Sequence, residues 1–177
     1  MEDVLRFWFE DISPACWWTK DSAFDQRILK QFGTLHSQAV RGELCQWRTA
    51  PEGRLAEIIV IDQFSRNMFR DDPRSFLFDP IALVLAQEAV SAGVLSKLPP
   101  GFRPFLLMPY MHSESPAIHE MAVPLFELEG MEGNLNFELR HKAIIDRFGR
   151  YPHRNAILGR VSTAEEIEFL KEPGSSF

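Results

Sequence analysis

Residues 58–67 decide the architecture of this chain, and they read Ile58-Ile59-Val60-Ile61-Asp62-Gln63-Phe64-Ser65-Arg66-Asn67. The four consecutive aliphatic residues that open the stretch leave a helix without a polar side at that point. We therefore expect protein to surround this helix on nearly all sides. Thr49 and Glu52 have the spacing of a capping box ahead of it, which predicts a helix that ends near Phe69.

The sequence on both sides of this stretch carries helix signals and almost no strand signals. No Asn-Gly or Asp-Gly pair occurs, so the strongest signature of a β-hairpin is missing. Apolar residues at helical spacing, capping residues and helix-ending glycines predict about seven helices. One of them begins at Asp79 as its capping residue, because Pro80 follows in the first turn. We expect an all-α protein, a single compact helical domain over residues 1–171, followed by a frayed tail at 172–177.

The composition is that of an ordinary globular domain. The chain has 177 residues, of which 45% are hydrophobic and 25% are charged, and its net charge is −6. This acidic balance argues against a general nucleic-acid-binding protein. The N-terminus is acidic where a secretory signal is basic, and the longest apolar run, at 105–111, is far shorter than the ~20 residues of a membrane helix. We expect a cytoplasmic protein whose partners include neither membranes nor nucleic acids.

Asp62 and Arg66 are the first candidate site residues, because they are four residues apart on one side of the central helix. A carboxylate in a low-dielectric interior costs several kcal/mol unless it is paired. One interpretation is therefore a structural ion pair between these two side chains. The other is that they line a pocket in which Arg66 and Arg70, with Asn67 beside them, face an anionic ligand.

A second candidate region precedes the helix whose start Ser115 predicts. His112 and Glu114 lie in the loop before that helix, where side chains are well placed to contact a ligand. A histidine beside a carboxylate can act as a general base. The alternative is that a serine caps the helix while Glu114 stabilises its positive end. A metal site that added His119 would have no established ligand spacing, so we expect no metal.

Residues 140–160 concentrate positive charge in an otherwise acidic chain, with six Lys or Arg residues and one acid. Guanidinium groups recognise phosphate and carboxylate groups well. The candidates for ligand binding in this region are Arg150, Arg154 and Asn155. His153 follows a proline in the same turn and is a further candidate for proton transfer. The alternative is a solvated helix face, and His141, on an apolar helix face, is predicted to be a hydrogen-bonded core histidine.

Five stretches match, in order, the motifs of the bacterial "domain of unknown function 924" family, which this chain resembles over nearly its whole length. They are 4–9, Trp47 with 51–56, 62–67, 112–114 and 147–155. The resemblance implies an all-α fold related to the tetratricopeptide-like helical superhelices, and it implies no established reaction, cofactor or substrate. The candidate residues that stand at motif positions are Asp62, Arg66, His112, Glu114, Arg150 and His153.

Three functions follow from these observations. The first is a helical-repeat-like binding module whose polar pocket, lined by Arg, His and Asp, takes a peptide or an anionic ligand. The second is an enzyme acting on a phosphate- or carboxylate-bearing small molecule, with His112 or His153 exchanging protons and a carboxylate orienting it. The third is a purely structural network of buried polar groups. The familiar nucleotide-binding, serine-hydrolase and zinc-protease motifs are missing, so we expect no cofactor.

Overall fold

Helices and turns account for all the regular structure within residues 1–176, the part of the chain that the computed structural model describes. The α-helices are α1 (Glu2–Arg6), α2 (Ser22–Val40), α3 (Pro51–Met68), α4 (Arg74–Leu77), α5 (Asp79–Ser91), α6 (Arg103–Met111), α7 (Pro116–Phe126), α8 (Glu132–Phe148) and α9 (Ala164–Phe169). No strand occurs within these residues, which confirms the all-α class. None of the helices described is long and apolar enough to cross a bilayer.

The aliphatic stretch lies in α3, around which α2, α5 and α6 are arranged. Every residue from Leu55 to Ser65 is buried. Because α2, α5 and α6 all pack against α3, it has no face left for water. The expectation of a helix surrounded by protein is therefore confirmed.

Aromatic rings hold the N-terminal segment against this central helix. The ring centroid of Phe7 lies 5.0 Å from that of Phe32 on α2, and the ring centroid of Trp8 lies 5.5 Å from that of Phe64 on α3. Phe32 and Phe64 are themselves 4.8 Å apart. Such ring pairs add about 0.5–1.5 kcal/mol each to the burial of their apolar area. They fix the N-terminal segment, α2 and α3 as one packed unit.

The structure contains two helices that the sequence patterns did not predict, α4 and α6. In α6, Pro109 lies inside the helix and cannot donate the backbone hydrogen bond that its position calls for. An interior proline ordinarily kinks or breaks a helix. All seven residues from Phe105 to Met111 are buried, and this packing offsets the missing bond. The helix thus owes its existence to tertiary contacts.

Two of the predicted helix caps are wrong. The N-cap of α3 is Ala50, and the hydroxyl of Thr49 donates to the carbonyl oxygen of Gln46 instead of capping. Asp79 is the first residue of α5, not its cap, and its side chain binds two arginines. In both cases Pro51 or Pro80 suffices to begin the helix, because proline fixes the backbone angle at no cost in hydrogen bonds at the first turn.

The last residues of the chain return toward α8. Ser175 is buried, and its hydroxyl donates to the carbonyl oxygen of Leu170 at 3.2 Å. The sequence predicts a frayed tail at 172–177, and its last residue, Phe177, lies outside the described residues.

Gly53 in α3 offers a test of how closely this helix is packed. A Cβ at this position would overlap the backbone carbonyl oxygen of Trp47, whereas a Cβ at Gly133 in α8 would meet nothing within 4 Å. We expect Gly53→Ala to lower the free energy of unfolding by more than 1 kcal/mol, a range typical of overpacking (about 1–3 kcal/mol). Gly133→Ala is the matched control and should be neutral or stabilise by up to about 1 kcal/mol. Urea denaturation measures both, and equal effects would contradict the close approach of residue 47 to α3.

Candidate active site

A cavity of about 810 Å³ opens beside the C-terminal end of α3. Its volume is within the range of about 300–1,000 Å³ that is typical of small-molecule sites. Its walls come from α3, α4, α6, α8, the loop before α2 and the turn after α8. The side chains that line it are Trp17, Trp18, Thr19, Lys20, Gln63, Arg66, Asn67, Arg70, Asp71, Ser75, Phe76, Met108, Met111, His112, Asn134, Phe137, Arg140, His141, Tyr151, His153, Arg154, Ile157 and Ser176.

Six of the ten site residues predicted from the sequence line this cavity. They are Arg66, Asn67, Arg70, His112, His153 and Arg154. Asp62 is fully buried directly behind His112, whose Nδ1 lies 2.8 Å from its Oδ1. The remaining three, Glu114, Arg150 and Asn155, do not line the cavity. Residues from three distant segments of the chain thus meet at one place.

Asp79 joins two of the cavity arginines. Arg66 donates to both of its carboxylate oxygens at 3.0 Å, and Arg154 donates to Oδ2 at 3.3 Å. Arg66 also lies 3.1 Å from a carboxylate oxygen of Asp62 and donates to the carbonyl oxygen of that residue. Because each buried charge has an opposite charge beside it, the cluster avoids the cost of an unpaired ion. The predicted Asp62–Arg66 ion pair is present, with Asp79 as a second carboxylate on the same guanidinium.

Arg70 and Asn67 share a different carboxylate. Arg70 binds Asp25 through two hydrogen bonds of 2.6 and 2.8 Å, and the Asn67 amide donates to the same side chain at 2.8 Å. Asp25 belongs to α2, so these bonds connect α2 to the end of α3. The bonds of Arg70 use Nε and Nη2, and its Nη1 donates to no group among residues 1–176.

Asp62 and His112 form a carboxylate–imidazole pair at the cavity wall. Burial acts to raise the pKa of the Asp62 carboxyl, but the charge of Arg66 and the hydrogen bonds from His112 and Gln63 outweigh it and hold that pKa well below its usual range. Burial and the charge of Arg66 lower the pKa of His112, against the opposing effect of Asp62. The pair is therefore an ionised carboxylate beside a neutral imidazole at neutral pH. Since a carboxylate can only accept, the hydrogen of that imidazole resides on Nδ1.

Glu114, Arg150 and Asn155 have structural partners around the turn after α8. Glu114 accepts two hydrogen bonds from Arg160, at 2.6 and 2.9 Å, and one from the backbone N–H of Tyr151 at 2.8 Å. Arg150 forms two hydrogen bonds with Glu166, of 2.6 and 2.8 Å. Asn155 binds Ser162 and Arg160. These bonds fix the turn and so fix the positions at which His153 and Arg154 enter the cavity wall.

His119 and His141 are hydrogen-bonded interior histidines. His119 is fully buried between Glu138, at 2.6 Å, and the carbonyl oxygen of Ser113, at 2.9 Å. His141 donates from Nδ1 to the carbonyl oxygen of Phe137 at 2.8 Å. Among the described residues, no group of three or more His, Cys, Asp or Glu side chains is arranged to hold a metal ion.

Sequence reasoning missed several side chains of this site. Asp79 has the local pattern of a helix cap, and its link to Arg154 spans 75 positions of the chain, so no local pattern indicates it. Trp18 is 66% exposed at the cavity. An adjacent tryptophan pair followed by Lys20 in a loop is the signal that could have identified this wall, because exposed tryptophans in loops often contact ligands.

Comparison with known proteins places the chain among proteins of unknown function. The model of the bacterial family of unknown function DUF924 matches residues 4–174. The chain is also similar to a solved structure of a protein of unknown function from Agrobacterium tumefaciens. The two are 36% identical, the match covers 96% of each chain, and the TM-score is 0.91. No curated protein matches.

The Asp79 bridge yields a test of the ion cluster. Asp79→Asn removes the charge that Arg66 and Arg154 share while it preserves the size of the side chain, and we expect a loss of about 3 kcal/mol of unfolding free energy. The matched control is Asp72→Asn, which breaks an exposed pair with Arg74 and should leave the urea midpoint nearly unchanged. Equal midpoints for the two variants would contradict a buried role for Asp79.

His141 yields a test of pH dependence. Burial lowers its pKa to about 3, from an ordinary value near 6.5. The unfolded state therefore takes up a proton on this residue before the native state does, so stability is complete above pH 6.5 and falls as the pH falls toward 3. We expect His141→Gln to reduce the slope of unfolding free energy against pH between pH 6 and 5. The reduction should be at most about 1.4 kcal/mol per pH unit, which corresponds to one proton. Urea titrations of both proteins at each pH measure this, and parallel slopes would contradict it.

Proposed function

The chain belongs to the bacterial family DUF924, whose function is unknown, and from its cavity we propose that it binds a small organic anion with an apolar or aromatic body. The observation that carries the proposal is the composition of the wall. Its basic side chains are Lys20, Arg66, Arg70, Arg140 and Arg154, and its one acidic side chain among the described residues is Asp71.

The arginines lie between their carboxylate partners and the cavity. Asp25, Asp62 and Asp79 pair with Arg70, Arg66 and Arg154, yet none of these three carboxylates lines the cavity. A ligand in the cavity therefore meets guanidinium groups whose positions the buried carboxylates already hold. Such preorganised donors cost little further ordering when an anion binds.

Two cationic groups have bonding capacity that the described residues do not use. Lys20 is exposed at the cavity and forms no ion pair within residues 1–176. The Nη1 of Arg70 likewise donates to no group within these residues, because Asp25 binds the other two nitrogens of that side chain. An ammonium and a guanidinium edge are suited to a carboxylate or phosphate group.

The rest of the wall favours an apolar or aromatic body on the ligand. Trp17, Trp18, Phe76 and Phe137 line the cavity together with two methionines. Aromatic side chains contribute large apolar contact areas, and methionines adapt to different shapes. The volume suits one molecule of metabolite size, so between the peptide and the small anion we propose the small anion.

Binding of benzoate and phenyl phosphate tests this proposal. Benzyl alcohol is the control, because it has the aromatic ring but no negative charge. We expect both anions to change the intrinsic fluorescence of Trp17 and Trp18 and to raise the melting temperature, since a ligand that binds only the native state stabilises it. Benzyl alcohol should bind more weakly. Lys20→Ala should weaken anion binding by about threefold to tenfold, the effect of one partly solvated charge contact.

Lys30→Ala is the matched control, because Lys30 is exposed on α2 and does not line the cavity. It should leave anion binding unchanged. Two results would overturn the proposal: neither anion binds, or Lys30→Ala weakens binding as much as Lys20→Ala does, which would indicate attraction to the protein charge in general.

A further inference from the structure

We propose that His112 is a general base at the wall of this cavity, and that it removes a proton from carbon in a bound 2-oxo carboxylate, with Asp62 as the residue that positions it. The inference rests on the proposed function, because it takes the same cavity to bind an organic anion.

The placement of His112 puts its side chain in the cavity wall, with Asp62 bound to it. His112 directly follows α6 and lines the cavity, whereas Asp62 is fully buried on α3 and does not. The imidazole is held by its Nδ1, which donates to Asp62 at 2.8 Å. Its backbone carbonyl accepts from Arg154 at 3.0 Å, so the main chain is fixed as well. A base oriented in this way loses little freedom when a substrate arrives.

The other ring nitrogen of His112 is the reactive atom. Its Nε2 forms no hydrogen bond within residues 1–176, and because Nδ1 carries the hydrogen, Nε2 holds a lone pair. No hydroxyl or thiol of the described residues is bonded to it, so there is no protein nucleophile for it to activate. The proton that it accepts therefore comes from what occupies the cavity.

The surroundings favour abstraction from a carbon adjacent to a carbonyl group. The side chains of Arg66 and Arg154 lie in the same wall, and the Nε of Arg154 is buried with no hydrogen-bond partner among the described residues. Guanidinium groups in such a position stabilise negative charge that develops on oxygen. Met108 and Met111 line the cavity beside them, and apolar groups beside a charge strengthen its electrostatic interactions.

The step is balanced without a cofactor. A C–H bond of the 2-oxo acid breaks and its proton moves to Nε2 of His112. The electron pair of that bond forms a C=C bond to the carbonyl carbon, and the π pair of the C=O group moves onto oxygen to give an enolate that the guanidinium groups stabilise. Return of a proton from the imidazolium to the same carbon restores the substrate. In D₂O the imidazolium exchanges this proton for a deuteron from the solvent, and return of the deuteron replaces hydrogen by deuterium at that carbon even when there is no net reaction.

Phenylpyruvate is a suitable probe, since it combines an aromatic ring, a carboxylate and acidic hydrogens beside a carbonyl group. Exchange of its benzylic hydrogens in D₂O is followed by proton NMR, and its binding by tryptophan fluorescence. We expect the protein to accelerate exchange at least tenfold over protein-free solution. His112→Gln should still bind phenylpyruvate and should lose the acceleration.

Asp62→Asn tests the positioning role. Because an amide can also donate a hydrogen bond, the imidazole no longer has a single preferred tautomer. We expect the exchange rate at saturating phenylpyruvate to fall at least tenfold, by a larger factor than its Kd rises. A residue needed only for folding would not lower the rate of the saturated protein more than it weakens binding. If the variant does not fold, the wild type and His112→Gln still decide the proposal.

The outcomes separate this inference from the proposed function. Binding of phenylpyruvate without acceleration of exchange, or acceleration that persists in His112→Gln, overturns the general base and leaves the anion-binding cavity in place. Failure of phenylpyruvate, benzoate and phenyl phosphate all to bind overturns both. Acceleration that depends on His112 supports both.

Discussion

The rest of the structure depends on the burial of charge at the C-terminal end of α3. The Asp62 side chain is fully buried and only 21% of the Arg66 side chain is exposed, so water cannot supply the solvation that these ions lose. They are stable there only with partners that the fold brings to them. Asp79 from α5 and His112 from the end of α6 are those partners. The same interactions that satisfy the charges therefore set the positions of α3, α5 and α6.

This requirement also explains why the cavity exists where it does. Arginines whose inner sides bind carboxylates present their remaining surface outward, and the turn after α8 adds Arg154 to the same wall. Glu114 and Arg160 hold that turn in place without reaching the cavity. The structural network and the candidate site are thus two aspects of one arrangement. A function for the cavity does not compete with a structural role for the ion pairs beneath it.

Local patterns predicted the fold class and several candidate residues, and they failed where a side chain serves a distant segment. Asp21 caps α2, with its side chain accepting from the N–H groups of Ala23 and Phe24, and such a cap is readable from the sequence because capping involves neighbours along the chain. Asp79 has the same local pattern but a different role, because two arginines compete successfully for its carboxylate. Glu114, predicted as a ligand or a helix-stabilising charge, binds Arg160, 46 positions away. Burial of its apolar residues also stabilises α6, although Pro109 lies inside this helix.

What the sequence by itself determined is the all-α class, the burial of the central helix and the identity of six of the polar side chains that line the cavity. These follow from short-range physics: the period of apolar residues, the conformational preferences of proline and glycine, and the cost of leaving a charge unpaired. Only the tertiary structure decided which charges pair between distant segments, which segments meet and which nitrogen of His112 binds Asp62. Those outcomes depend on contacts between positions tens of residues apart, and one sequence contains no local record of them.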